Sequence, residues 1–276
     1  MDICFYHANC SDGFCAAYVA NLKYPGIDLI PINYGDAPDL SKLKGKKVLV
    51  VDFSFPRQLL MEMKAITSSL VVLDHHESAK QALEGLNYCL FDMTKSGAML
   101  TWEYCFPDKT PPSLVAYVQD RDLWKFEIPF SKAINAYIRQ QPQTLKAWDT
   151  LYYNWDKSYF TYREIGTHLL FLETEYVNRI AKNASSWDIF PPHKCKAVNS
   201  PILQSEIGST LLKDCDIAII WFAIGKETIF SLRSKEVNVA ELAKKYGGGG
   251  HPKAAGFKLK SLSHVYEQKW FISEAK

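Results

Sequence analysis

Four short apolar runs constrain the first third of the chain more than any other feature: Ile3-Cys4-Phe5-Tyr6, Ile27 to Ile32, Val48-Leu49-Val50-Val51 and Leu70-Val71-Val72-Leu73. They are continuous rather than alternating and rich in β-branched residues, the pattern of strands covered on both faces of a parallel sheet. Helix candidates lie between them. Phe14 to Ala20 follows Gly13, and Pro56 to Ile66 begins with a Pro suited to a first helical turn. Strand and helix alternating in this way predict a doubly wound α/β layer with a mainly parallel sheet.

Three of these runs deliver polar side chains at their carboxyl ends. Tyr6 is followed by His7, Val51 by Asp52, and Leu73 by Asp74-His75-His76. That edge of a parallel sheet is where ligands bind. Any one of these residues would serve as a turn or helix cap; acids and histidines at three successive ends point instead to one cluster. Imidazoles and carboxylates without paired thiols suit a hard or borderline divalent ion, Mn²⁺, Mg²⁺ or Fe²⁺, better than structural zinc. Asp12, in the loop His7-Ala8-Asn9-Cys10-Ser11-Asp12-Gly13, either caps the first helix or aims its carboxylate into the same cleft. Gln119-Asp120-Arg121-Asp122, after a run ending at Val118, is either a solvated helix end with a local ion pair or a further acidic contribution.

From about Ser96 to Ser186 the pattern is helical, with Trp148, Leu151, Tyr152 and Trp155 at helix-compatible spacing, read as packing, and Leu169 to Ile180 beyond them. Pro107, Pro111-Pro112 and Pro191-Pro192 mark breaks. The chain then alternates again, through Lys196-Ala197-Val198, Ile217 to Ile224 and Thr228 to Arg233, with Gly225-Lys226 at a hairpin position. The expected organisation is an N-terminal α/β domain over 1–125, a helical connector over 126–187 and a smaller C-terminal α/β domain over 188–276.

Thirty-two Lys plus Arg against 30 Asp plus Glu leave a formal charge of +2, so there is no global field of the kind that sequence-blind duplex binders use. An anionic substrate must be held locally. No apolar run approaches a membrane span, and Met1-Asp2-Ile3-Cys4 lacks the head of a signal peptide; the expectation is a cytoplasmic protein with no membrane partner. Seven cysteines without a C-x-x-C pair argue against a disulfide framework or a zinc knuckle.

Gly247-Gly248-Gly249-Gly250-His251-Pro252-Lys253-Ala254-Ala255-Gly256 is the second strong signal. Four consecutive glycines are poor helix and poor strand, and they let backbone approach a ligand closely. The segment is not a P-loop, because Lys253 is preceded by His-Pro and followed by Ala. It reads as a loop of N–H donors with one His and one Lys, suited to a phosphate or a nucleotide end.

Leu73-Asp74-His75-His76-Glu77 together with Gly248-Gly249-Gly250-His251-Pro252-Lys253-Ala254-Ala255-Gly256 resembles the DHH phosphoesterase superfamily with its DHH-associated C-terminal domain. Members of the superfamily include RecJ-type exonucleases, nano-RNases, phosphoadenosine-phosphate phosphatases, cyclic-dinucleotide phosphodiesterases and, with a different C-terminal domain, family II pyrophosphatases. The resemblance spans nearly the whole chain and is far more specific for the superfamily than for a substrate. It implies that His7 and Asp12 belong to a first metal motif, that Asp52 bridges two metal ions, and that His75 is a ligand. It further implies that Asp74 orients the site and His76 faces the substrate phosphate. Asp120 takes the place of a fourth-motif aspartate, with Asp122 as its rival. Arg233, Gly248, Gly249, Gly250, His251 and Lys253 form the substrate-binding half. Cys10 stands where the family usually carries an aspartate: it is either a softer ligand or a bystander.

The implied activity is metal-dependent hydrolysis of phosphoester bonds in short oligonucleotides or small nucleotides, with pAp and cyclic dinucleotides among the candidates. The implied cofactor is a pair of divalent ions, Mn²⁺ first and Mg²⁺ or Fe²⁺ as alternatives. The partner is a short single-stranded oligonucleotide or small nucleotide, and the protein a monomer or homodimer. A different class remains beside it: a catalytically weak nucleotide-binding protein that keeps the fold.

Overall fold

The first strand and helix are β1 (Ile3–His7) and α1 (Ser11–Lys23), followed by β2 (Asp28–Ile32), β3 (Lys47–Val51), α2 (Arg57–Ile66), β4 (Ser69–Asp74), α3 (Glu77–Ala82) and β5 (Cys89–Phe91). In this computed structural model, which describes residues 1–260, the five strands form one wholly parallel sheet in the order β2-β1-β3-β4-β5. The last part of the expected C-terminal domain, 261–276, lies outside the described residues.

Alternate residues of each strand enter different layers, as the pleat requires. Cys4, Tyr6, Leu49, Val51 and Leu73 pack under α1, whose Ala16, Ala17, Val19 and Ala20 bring its backbone close to the sheet. Ile3, Phe5, Val48, Val50, Leu70 and Val72 pack against Leu60 and Met63 of α2 on the opposite face. A sheet covered on both sides is what the apolar runs predicted, with one exception. β2 is an edge strand, largely exposed along its length, and it carries Pro31, which an edge accommodates because no neighbour needs its missing N–H. The strand order reverses direction between β1 and β3, so their carboxyl ends flank the crevice where doubly wound sheets bind ligands.

The chain continues through α4 (Gly97–Cys105), α5 (Ser113–Asp122), α6 (Ser131–Arg139), α7 (Leu145–Tyr153) and α8 (Trp155–Ala181). Trp148, 1% exposed, packs edge-on against Phe14, and Tyr18 donates its hydroxyl to Asp149 at 2.9 Å. The aromatic spacing around Trp148 is therefore core packing onto α1.

Two compact units divide the chain, Met1–Leu170 and Phe171–Lys276. The second contains β6 (Ser185–Trp187), β7 (Cys195–Asn199), α9 (Gln204–Leu211), β8 (Ile217–Ile224), β9 (Glu227–Ser234), α10 (Val239–Lys244), β10 (Gly249–His251) and β11 (Ala254–Lys260). Its sheet runs β10-β11-β9-β8-β7-β6, and only β7 and β8 are parallel, joined by the α9 crossover. Gly225, at φ +58°, and Lys226 form the two-residue hairpin expected between β8 and β9.

Two expectations are corrected here. The helical stretch ends at Ala181, and Ser185–Trp187 already belongs to the sheet. The glycine run is a loop only in its first half: Gly247 and Gly248 precede the strand, in which Gly249, Gly250 and His251 pair with Gly256, Ala255 and Ala254. Packing overrides propensity, because a Cβ on Gly248 would fall on the Gly256 carbonyl and the Phe257 side chain.

Candidate metal centre

The carboxyl edge of the parallel sheet gathers the side chains that its strands deliver. β1 ends in His7, β3 is followed at once by Asp52, and β4 runs into Asp74-His75-His76. Asp52 adopts φ +52°, a left-handed conformation that Asp tolerates better than most residues and that turns its carboxylate away from the strand line. The turn is held by Asp52 N–H donating to Leu73 O at 2.9 Å.

Among the triads of ligand atoms that result, each lying within 4.8 Å of one another, are His7, Cys10 and Asp52, and Asp12, His75 and Asp122, with Asp52 grouped also with Asp74 and His76. Asp52 stands between the first two. Its Oδ1 is 3.0 Å from His75 Nε2, and its Oδ2 is 3.6 Å from His7 Nδ1. His75 Nε2 also lies 3.6 Å from Asp122 Oδ2 and 3.9 Å from Asp12 Oδ2.

Asp74 plays a different part. Its Oδ2 accepts from Ser54 Oγ at 2.6 Å, and its Oδ1 accepts from His75 N at 2.7 Å and meets His76 Nδ1 at 2.6 Å. A carboxylate so fully engaged fixes the tautomer and orientation of its histidine, with the proton on Nδ1.

Asp12 neither caps its own helix nor points freely into the cleft. Gly97 N–H and Ala98 N–H, at the start of α4, donate to its two oxygens at 2.6 and 3.1 Å, which leaves Oδ2 facing His75. This is a carboxyl group seated at a helix N-terminus, where the macrodipole favours its charged form. Asp120 and its rival Asp122 lie in different surroundings. The Asp120 carboxylate accepts from Glu127 N at 2.9 Å and Ile128 N at 3.3 Å, pinning the loop after α5, while Asp122 enters the cluster.

The electrostatics are those of carboxylates and imidazoles packed close together and out of water. Burial pushes the Asp12 and Asp122 carboxyls up, and for Asp12 the neighbouring Asp122 and Asp52 charges add to it. Burial would do the same to Asp52, but His7 and His75 outweigh it and hold that carboxyl low. Burial disfavours charge on His7 and His75 as well, yet the Asp52 carboxylate raises each to about 11, aided by Cys10 at His7 and by Asp122 and Asp12 at His75.

The residues present fit a divalent ion. Asp52 Oδ2 and Asp122 Oδ2 are buried and accept no hydrogen bond, a costly arrangement unless something positive completes it. Imidazole nitrogens and carboxylate oxygens are the donor set of Mn²⁺, Mg²⁺ or Fe²⁺, and the Cys10 sulfur tilts it toward softer ions.

Several contributors carried no sequence signal of function. Ser54 secures Asp74. Gly97 follows the helix cap Ser96, and a Cβ there would fall on Asp52. Tyr34 lies against His7, His76 and Phe53.

In the second unit Arg233, His251 and Lys253 share one end of the sheet: Arg233 is opposite Ala254, and Ser234 N–H donates to Lys253 O at 3.1 Å. The Arg233 guanidinium donates to Leu232 O at 2.8 Å and Ser205 Oγ at 3.0 Å, and its stem covers Gly208. Lys253 is exposed at the turn between β10 and β11.

Residues 196–274 match the DHHA1 domain family. The chain is 30% identical over 295 residues to uncharacterized protein R106 of Acanthamoeba polyphaga mimivirus, covering 95% of this chain and 68% of that protein. Its fold is similar to that of an exonuclease RecJ bound to manganese (16% identity, TM-score 0.54, covering 97% of this chain and 87% of that one). It is also similar to RecJ from Thermus thermophilus in complex with Mn²⁺ (14% identity, TM-score 0.50, covering 97% of this chain and 50% of that one). Motifs, C-terminal domain and fold converge on one assignment, and the chain belongs to the DHH phosphoesterase superfamily.

Proposed function

We propose that the protein is a divalent-metal-dependent phosphohydrolase that cleaves phosphoester bonds in short single-stranded oligonucleotides or small nucleotides. The observation that carries this reading is a pair of buried carboxylate oxygens that accept no hydrogen bond, Asp52 Oδ2 and Asp122 Oδ2, at the switch point of a parallel sheet. His7, Asp52 and Cys10 would hold one ion; Asp12, His75 and Asp122 a second, with Asp122 in the role first given to Asp120. Such ions supply a Lewis acid and a nucleophile competent at neutral pH for in-line attack on phosphorus.

The chain's own groups then position the ester. Asp74 engages His76 Nδ1, so Nε2 is the nitrogen that meets a phosphoryl oxygen and steadies the charge growing on it. Ser54, donating to Asp74, stiffens that arm. Asp12 ties the start of α4 into the cluster, so the wall of the site is set before substrate arrives. In the DHHA1-matching unit, Arg233, His251 and Lys253 beside the Gly248–Gly250 backbone are the substrate-binding half, a local basic group in a nearly neutral chain. Local rather than global charge suits a short substrate. The RecJ relatives, whose structures hold Mn²⁺, support the choice of metal.

The test is a panel of pAp, short RNA and DNA oligomers and cyclic dinucleotides incubated with Mn²⁺, Mg²⁺ or Fe²⁺, using wild type, Asp52→Asn and His75→Ala. Hydrolysis of at least one substrate, lost in both variants, is expected. Recovery of intact nucleotide from the wild type in every condition, or undiminished turnover in both variants, overturns the reading.

A further inference from the structure

The segment after β2 contributes to the mouth of the site but has no role in the chemistry above. Asn33-Tyr34-Gly35-Asp36 is a tight turn: Asp36 N–H donates to Asn33 O at 3.0 Å, and Gly35 sits at φ +98°. A left-handed third residue is what a type II turn requires, and glycine supplies it without strain. The Asp36 carboxylate closes the turn again, accepting from Asn33 N at 3.0 Å and from Asn33 Nδ2 at 3.3 Å. Three hydrogen bonds and one glycine therefore fix the position of the residue at the turn's corner, Tyr34.

The Tyr34 ring is roughly perpendicular to those of His7, at 5.4 Å between centroids, and His76, at 6.1 Å, and it leans on Phe53 at 4.8 Å. Its side is thus set against two of the histidines that handle metal and phosphate. Yet Tyr34 is 50% exposed, whereas Phe53 behind it is 2% exposed. A ring placed only for packing gains most by full burial. This one is held by a tight turn, half-exposed beside His7 and His76, while burial near Asp74 and Asp52 pushes its hydroxyl up.

We propose that Tyr34 is the platform on which a nucleobase flanking the scissile phosphate stacks, so that the site selects base-bearing phosphoesters over inorganic polyphosphate or simple alkyl phosphates. The inference rests on the proposed phosphohydrolase reading and names its substrate class. Stacking is tolerant of sequence because every base has a π-face, and preorganisation of the platform means that little order is lost on binding. Phe53, wedged behind the ring, keeps it from folding inward when a base presses on it.

The experiment compares Tyr34→Ala and Tyr34→Phe with wild type on a dinucleotide and on its abasic counterpart, which keeps the sugar–phosphate chain and lacks the bases. Wild type is expected to show a KM about ten- to a hundredfold higher for the abasic substrate, in line with the value of one stacked base. Tyr34→Ala should collapse that ratio toward one, and Tyr34→Phe should preserve it. An equal loss of kcat on both substrates in Tyr34→Ala overturns the proposal in favour of a positioning role through His7 and His76; an unchanged ratio also overturns it. Equilibrium binding of the dinucleotide, measured with Ca²⁺ in place of the active ion, separates the two readings: no hydrolysis of any substrate sinks the phosphohydrolase assignment, whereas equal affinity of wild type and Tyr34→Ala sinks the platform.

Discussion

Gly97 backs directly onto Asp52: a Cβ at position 97 would fall on the Cα, Cβ and Oδ1 of Asp52. The same residue donates its N–H to Asp12 Oδ2 at 2.6 Å, so a single glycine at the head of α4 spaces the carboxylates of both triads. Alanine is the better helix former, but here it would push Asp52 out of line. Gly97→Ala is expected to cost about 1–3 kcal/mol through overpacking and to weaken metal binding more than any surface change. Thermal melts in chelator and a Mn²⁺ titration check both parts; a variant that binds Mn²⁺ as well as wild type would show the spacing to be dispensable.

Asp120 and Asp122 have different surroundings although they are two residues apart: Asp120 pins the loop after α5, and Asp122 lies with Asp12 and His75. Asp122→Asn should lower metal affinity with little effect on the melting temperature of the metal-free protein. Asp120→Asn weakens the acceptor for Glu127 N and Ile128 N, each bond being worth about 1 kcal/mol or somewhat more to a charged acceptor. It should therefore lower the melting temperature while the protein still binds metal. Measuring both quantities on both variants decides the matter, and the reversed pattern would return the ligand role to Asp120.

The sequence made His7, Asp52 and the Asp74-His75-His76 triplet legible for a topological reason. Apolar runs end where their strands end, and parallel strands place those ends on one edge. Asp122 was not separable from Asp120 in that way. Two positions on a helix differ by about 200° of rotation, and the rotation of α5 is set by how Leu114, Val115, Tyr117 and Val118 pack, which no local pattern records. The strand at Gly249–His251 was hidden because glycine has poor strand propensity; only the close approach to Gly256 and Phe257 explains its composition. Tyr34 lies in a turn without periodicity, so nothing in its neighbours marked it as facing the site.

Protons and metal compete for the same nitrogens, which gives the metal-free protein a pH dependence of definite sign. His7 and His75 are raised from 6.5 to about 11, so their contribution to stability is fully present below about pH 6.5 and is lost as the pH rises toward 11. The raised Asp12 and Asp122 carboxyls act in the same direction. Asp52 is lowered, and its contribution is lost only in acid, below its usual 3.8. Protein treated with chelator should melt at lower temperature at pH 9.5 than at pH 7, and added Mn²⁺ should flatten the difference because binding displaces those protons. Asp52→Asn should reduce the slope. A melting temperature that climbs across this range in chelator would contradict the account.

Cys10 is the point at which this chain departs from the usual donor set, and its place in the structure makes the departure testable. The Cys10 sulfur lies with the ligand atoms of His7 and Asp52 inside one 4.8 Å group. Burial pushes its thiol up, partly offset by His7, and the thiolate is the form that ligates a metal. A thiolate prefers Cd²⁺ or Zn²⁺ to Mn²⁺ relative to a carboxylate. Cys10→Asp is therefore expected to tighten Mn²⁺ and loosen Cd²⁺, and Cys10→Ser to weaken both, as read by competition against a chromophoric chelator. An unchanged ranking of Mn²⁺ and Cd²⁺ in Cys10→Asp would mean that His7 and Asp52 hold their ion without the sulfur.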